Sequence, residues 1–321
     1  MKTANRILFV HNGALGDFLC AWPGIFSIIN YYQARQQGVE FYFSGKEFGL
    51  KWLEPYGVRK ALPEMISGVE GMYLGAKPEP WLENIKVFWF CLKEPVSRVE
   101  HPNLYSLPVL DFQELDTSKA EKPFVISNLA NQLNKQDIGW CQDWQTRWQD
   151  AFGSWKGVKS KQVGLIPGSG HVAKSWPLDK FEILARELDD AGYDPVYLLG
   201  PVEREREILP LGARAEYPFP PMELADRMLK MRAIIACDGG PAHLASHHGV
   251  PGLVLFGPVK WQSWAPKGLK VLLPSENCDC PPPVDDPKDI TVSQAACISL
   301  IKPEVVAEAF LKEFDKPDCG G

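Results

Sequence analysis

The sequence lacks any unbroken apolar run long enough to span a bilayer. Its uncharged segment 18–34 carries Pro23, Asn30, Tyr31, Tyr32 and Gln33, which suits a half-buried helix rather than a membrane span. The amino end offers only "ILFV" before polar and glycine residues intervene, too short for the apolar region of a secretory signal. A cytoplasmic protein is expected, with at most peripheral contact on the inner face of the cytoplasmic membrane. Positive charge is also in short supply: 34 Lys and Arg stand against 40 Asp and Glu, for a net charge of -6. That balance excludes a general nucleic-acid-binding surface and leaves room only for a local basic site. Internal repeats and low-complexity tracts are absent. The eight cysteines, at 20, 91, 141, 237, 278, 280, 297 and 319, have no secretory context and read as reduced thiols. Cys278, Cys280 and Cys297, around "CDCPPPVDDP", form a candidate zinc trio at an unusual spacing.

What remains is an ordinary globular composition, 45% hydrophobic and 23% charged over 321 residues, enough for two cores. "RILFV" is a short apolar run ending in a glycine loop, and an amphipathic stretch over 21–37 follows it. Strands are then expected at "VEFYF" (39–43), "KVFWFC" (86–91) and "PFVIS" (123–127). The polar stretch 153–161 marks a domain boundary, and "QVGLIPG" opens the second half. There the pattern predicts a helix over 178–191, strand "PVYLLG" (195–200), a helix over 222–231, strand "AIIAC" (233–237), a helix over 241–248 and strand "GLVLFG" (252–257). Such alternation implies α/β units with parallel sheets. The expected domains are 1–155 and 156–300, both Rossmann-like. Residues 301–321 form a terminal helix packing back toward the first.

Three stretches can carry chemistry. In "HNGALGDF", Gly13 and Gly16 permit close approach of a ligand, and Asp17 at the mouth of the following helix is either a base or a helix cap. The spacing fails GxGxxG, and no acidic residue ends the second strand, which argues against a nicotinamide cofactor. In "IPGSGHVAKSWPLDKF", Gly168, Ser169 and Gly170 make a turn whose amides can surround an anion, with Lys174 as a compact cation for phosphate or as a solvated loop lysine. This spacing is not a Walker A loop. In "CDGGPAH", Asp238 ends a strand and Gly239, Gly240 and Pro241 open a helix, where backbone amides favour a diphosphate. Asp238 itself would repel phosphate, so it is read as accepting from ligand hydroxyls or capping the helix. His243, one turn in, is a donor to phosphate or sugar, or a packed residue. His247 and His248 are read as ordinary surface or packing residues.

Together these segments resemble glycosyltransferase family 9, the lipopolysaccharide heptosyltransferases. The resemblance rests on "GALGD" (13–17), "KSWP" (174–177), "DGGPAH" (238–243), "GVP" (249–251) and "FGP" (256–258), in the family's order, and it is patchy between about 45 and 160. It implies a GT-B fold, two Rossmann-like domains facing across a cleft, with 1–155 binding the acceptor and 156–300 the nucleotide-sugar. It also implies inverting, metal-independent transfer of a sugar, heptose from ADP-heptose first of all, to a lipopolysaccharide-core or related glycan. No cofactor is expected beyond the nucleotide-diphospho-sugar co-substrate. The implied catalytic residues are Asp17, as general base, and Lys174, which neutralises the departing diphosphate. The implied donor-binding residues are Gly13, Gly16, Ser169, Gly170, Asp238, Gly239, Gly240, His243 and Lys260. Two positions depart from the family pattern: Gly239 replaces a Ser or Thr, and His11 stands where many members have Arg. The alternatives are another nucleotide-sugar enzyme on this fold, such as a UDP-sugar transferase or epimerase, and a non-catalytic sugar-nucleotide binder.

The remaining aromatics admit several readings. Trp140, Trp144 and Trp148 recur every four residues, as one helix face that packs the first domain, stacks on an acceptor sugar or rests on a membrane. "VKWQSWAPKG" (259–268) lies where a loop would border a ligand, so Trp261, Trp264 or Lys260 is a candidate donor contact. Asp285 and Asp286 precede a proline and need only a turn.

Overall fold

A computed structural model describes residues 5–76, 80–93, 100–275, 280–291, 294 and 296–314. Contacts divide the chain into two units, Met1–Arg147 and Trp148–Gly321. The division falls earlier than the polar stretch 153–161 suggests. Trp148 explains this, because its ring meets those of His247 and His248 at 4.8 and 5.6 Å in the second unit. The tryptophan stripe therefore does not pack the first domain as a single helix face. Trp140 lies outside the helix Trp144–Phe152, and Trp148 is committed to the second unit.

The first unit is a five-stranded parallel sheet in the order β3-β2-β1-β4-β5. Its strands are β1 (Arg6–His11), β2 (Glu40–Gly45), β3 (Val58–Lys60), β4 (Ile85–Cys91) and β5 (Leu104–Pro108). The central strand β1 is apolar on both faces, with Ile7, Leu8, Phe9 and Val10 fully buried, as a strand covered by helices on each side requires. Helix α1 (Leu15–Arg35) follows it directly, as expected from the glycine loop. "PFVIS" is not a strand but the start of a helix, Phe124–Lys135. Val125, Leu129 and Leu133 recur every four residues and are all buried, so the helical period wins over the short β-branched run.

The second unit is a six-stranded parallel sheet in the order β11-β10-β9-β6-β7-β8. The inner strands are β6 (Gln162–Ile166), β7 (Asp194–Leu198), β9 (Ala233–Cys237) and β10 (Gly252–Leu255), with β8 (Arg214–Glu216) and β11 (Lys270–Leu272) at the edges. Helix Leu178–Asp190 buries Phe181, Leu184, Ala185 and Leu188, the four positions its periodicity singles out. The final helix, Pro303–Phe314, lies against Leu178–Asp190 and contributes Val306, Ala307 and Phe310 to the same core. Its apolar face is thus buried in the core of the second unit.

Both sheets are Rossmann-like in the same sense: strand order reverses at one internal junction, between β1 and β4 in the first and between β6 and β9 in the second. In such sheets the loops leaving the two junction strands diverge to opposite faces and open a crevice at the carboxyl edge, where ligands bind. The motif-bearing loops leave three of these four strands.

Candidate functional site

In the first unit, the loop after β1 turns straight into α1. Asp17 sits in the first turn of the helix, and its Oδ2 accepts the Ala14 N–H at 2.8 Å. The capping role considered from sequence is therefore real, and it leaves the carboxylate half-buried rather than sealed. Gly13 is required by closeness: a Cβ there would stand 2.7 Å from Asp17 Cβ and 2.9 Å from His11 Cε1. Those residues line a pocket of about 80 Å³ with Ala21, Phe90, Cys91, Leu92 and Val109, at the β1–β4 reversal. His11 is buried, and desolvation lowers its pKa from 6.5 to about 4 against the opposing pull of the Asp17 charge. The imidazole facing the carboxylate is therefore neutral at physiological pH. Beside it a larger depression, about 500 Å³, is bordered by Asn12, Ser44, Glu47, Lys51, Lys60 and Glu70 among others.

In the second unit, the loops leaving β6 and β9 meet at the reversal. Ser169 is buried, and its Oγ–H donates to the Asp238 carbonyl at 2.7 Å. Lys174, at the end of a single 3-10 turn (Val172–Lys174), places Nζ 3.0 Å from Asp238 Oδ2. Those side chains are 14% and 6% exposed, so the pair is shielded from solvent screening. Helix α9 (Gly240–His248) starts at this point, and its first internal bonds run from the Ala242 and His243 N–H groups to the Gly239 carbonyl. The N–H groups of Gly239 and Gly240 precede that ladder and mark the positive end of the helix dipole. Asp238 caps nothing in α9; it is Lys174's counter-ion instead.

Gly239 is extended, with φ 175° and ψ -179°, a conformation open to any residue. A Cβ there would find nothing nearer than 3.8 Å, with Ser169 Oγ among its neighbours. Its loss of a hydroxyl is thus a matter of composition and not of space. Gly168 is the opposite case, because a Cβ would fall 2.0 Å from Glu203 Oε1. Glu203 is a residue the motifs did not mark. It is 4% exposed, and its Oε2 accepts the Gly200 N–H at 2.8 Å at the start of the short helix Pro201–Glu205. A depression of about 440 Å³ opens beside it, lined by Arg204, Glu207, Ile208, Leu209 and Tyr217. The signal in sequence was an acid shortly after the "LLGP" strand end, at the third position of the following helix, as Asp17 is in α1.

Other candidates fall differently. His243 is buried in α9, and its carbonyl oxygen lies 2.9 Å from His247 Nδ1. His247 and His248 are buried packing residues. Lys260 Nζ pairs with Asp285 Oδ2 at 2.6 Å, and Ser263 and Trp264 donate to the same aspartate, so Asp285 braces the loop after β10. Asp286 accepts the Lys288 N–H, the turn role expected for it. Gly16 lies in the first turn of α1, and the carbonyl of Gly170 faces Arg206 at 3.4 Å. Among the described residues, no three His, Cys, Asp or Glu side chains gather as metal ligands. Cys278 of the candidate trio lies outside the described residues. No described helix is long and apolar enough to cross a membrane.

Two Rossmann-like units, each with its polar groups at the strand-order reversal, define the architecture of GT-B glycosyltransferases, and solved structures agree. Over 98% of this chain and 99% of the other, the structure of a glycosyl transferase family 9 protein from Veillonella parvula superposes with a TM-score of 0.63 at 19% identity. E. coli heptosyltransferase WaaC with ADP gives 0.57 at 12% identity over 96% and 99%. E. coli ADP-heptose lps heptosyltransferase II gives 0.58 at 16% over 97% and 100%. No curated protein matches the chain in sequence. The family description "Glycosyltransferase family 9 (heptosyltransferase)" matches residues 108–287, more than half of the chain. The protein belongs to glycosyltransferase family 9, and it is a glycosyltransferase by that membership.

Proposed function

We propose that this glycosyltransferase moves a heptose from ADP-heptose to a lipopolysaccharide-core or related glycan, with inversion and without a metal. The observation that carries the reading is the half-buried Lys174 ammonium at the positive end of α9, beside two glycines whose amides precede the helix ladder. Positive charge held close to that place is what a departing diphosphate needs, and it supplies the neutralisation a divalent ion gives elsewhere. The nucleoside extends into the depression beside Glu203, where the carboxylate accepts from ribose hydroxyls and Tyr217 offers a face for the base. E. coli heptosyltransferase WaaC, whose fold this chain shares, was captured with ADP and with ADP-2-deoxy-2-fluoro heptose, which supports an adenine nucleotide as the carrier.

The first unit handles the acceptor. Asp17 takes the proton from an acceptor hydroxyl as that oxygen attacks the anomeric carbon, on the face opposite the breaking bond to diphosphate. The neutral His11 ring leaves the carboxylate's charge uncompensated at close range, which favours proton abstraction. The polar depression bordered by Asn12, Ser44, Lys51 and Lys60 accommodates the glycan beyond the reacting hydroxyl.

A thermal-shift panel with ADP, UDP, GDP and CMP tests the donor. ADP at about 100 times its dissociation constant adds about 2.7 kcal/mol to the unit that binds it. For a unit of this size that is a rise of roughly 5–10 °C. A larger response to UDP would move the reading to a UDP-sugar enzyme, and silence toward all four would remove the nucleotide-sugar reading.

A further inference from the structure

The junction of β6 and β9 holds two opposite charges where the proposed reaction calls for one. Lys174 Nζ lies 3.0 Å from Asp238 Oδ2, and both side chains are largely buried. A diphosphate arriving at the start of α9 attracts the ammonium and repels the carboxylate. The two partners differ in freedom of movement. The Asp238 main chain is tied on both sides, its carbonyl accepting from Ser169 Oγ at 2.7 Å and its N–H donating to the Leu255 carbonyl at 3.1 Å. Its side chain is the shortest that bears a charge. Lys174 instead sits at the end of one 3-10 turn, on a stem of four methylenes that can swing its charge through several ångströms.

We propose that Asp238 is a positioning residue that holds the Lys174 ammonium in reserve and yields it to the donor's diphosphate by a swing of the lysine side chain. The inference rests on the donor reading above for the identity of the anion, although not for the pair itself. An isolated ammonium in this burial would be costly, so the counter-ion keeps the lysine in place and charged between turnovers. The cost appears on binding: the anion must outcompete a carboxylate already in contact. Asp238 thus sets a threshold that weakly charged ligands fail to cross, and it makes the site selective for the diphosphate.

Calorimetric titration with ADP and with inorganic pyrophosphate, on the wild type, Asp238→Asn, Lys174→Ala and the double variant, tests this. Asp238→Asn should tighten both ligands about tenfold while Lys174 is present, the scale of one charge-assisted contact released to the ligand. In the Lys174→Ala background the same change should give clearly less, because no ammonium is left to be released and only the direct repulsion, moderated by water entering the volume the lysine vacates, is relieved. Asp238→Glu keeps a counter-ion and should stay near the wild type. Equal tightening in both backgrounds would show that the pair does not open on binding and would overturn the proposal. So would unchanged or weaker binding by Asp238→Asn, the outcome expected of a carboxylate that serves only sugar hydroxyls. If Asp238→Asn melts early, Asp238→Ser removes the same charge in less volume and reads the same coupling. The predicted pyrophosphate pattern with no preference for ADP over UDP or GDP would support the pair's role while removing the adenine donor.

Discussion

Asp17 caps α1 and, in the function proposed above, also serves as the general base; the isosteric amide separates the two roles. Its Oδ2 accepts the Ala14 N–H at the first turn of α1, a contact that Asn can reproduce with its carbonyl oxygen. Asp17→Asn should therefore fold with a melting temperature close to the wild type. Asp17→Ala loses the contact, which costs about 0.5–1.5 kcal/mol for one hydrogen bond. For a unit of about 150 residues that is a fall of roughly 1–6 °C. Neither variant can accept a proton, and loss of a general base typically costs about 10²–10⁴-fold. On the rate scale this is about 3–5 kcal/mol, well above the structural cost. The assay is single-turnover sugar transfer under saturating donor, run beside calorimetric melting of both variants. The two should fall together in turnover and apart in stability. If Asp17→Asn keeps more than about a third of the wild-type rate, the residue is a helix cap and the base lies elsewhere.

Other outcomes follow from the same geometry. Gly239→Ser should fold normally, since its Cβ meets nothing within 3.8 Å and the backbone is extended; its stability should change by less than about 0.5 kcal/mol in a urea titration. Gly168→Ala should lower the stability of the second unit by about 1–3 kcal/mol, because the new methyl displaces the Glu203 carboxylate from its buried place. His11 gives a pH signature. Its pKa falls from 6.5 to about 4 on folding, so the unfolded chain binds the extra proton between those values and stability drops as pH falls through that window. The loss is about 3 kcal/mol by pH 4, and His11→Gln should flatten that part of a stability-against-pH curve; an unchanged slope would mean that the imidazole is not buried neutral. His248, likewise lowered by burial, adds a slope of the same sign in the second unit.

The strands legible in the sequence were the buried apolar runs bounded by turn residues, β1, β2, β4, β6, β7, β9 and β10, each falling where its run predicts. The loops after β1, β6, β9 and β10 are the ones that carry the candidate site residues. "PFVIS" misled because a five-residue apolar run has no period of its own. The helix became visible only when Leu129 and Leu133 were counted with Val125. The edge strands β3, β8 and β11 are three residues each and contain one or two charged residues, so nothing local distinguishes them from loop. At the site, residue types were legible and partnerships were not. Asp238 and Lys174 are 64 residues apart in sequence, and only the β6–β9 neighbourhood of the sheet brings them together. Glu203 escaped notice for a similar reason, since its importance lies in burial against Gly168 and not in any motif.

The central claim is transfer from a nucleotide-diphospho-sugar, and release of ADP from ADP-heptose tests it most directly. With a lipopolysaccharide core lacking its heptoses as acceptor and a metal chelator present, ADP should accumulate in step with heptosylated product, and the Asp17→Asn protein should release almost none. Release that requires a divalent ion, or a wild-type protein that binds ADP-heptose and never turns it over with any glycan offered, would contradict the account.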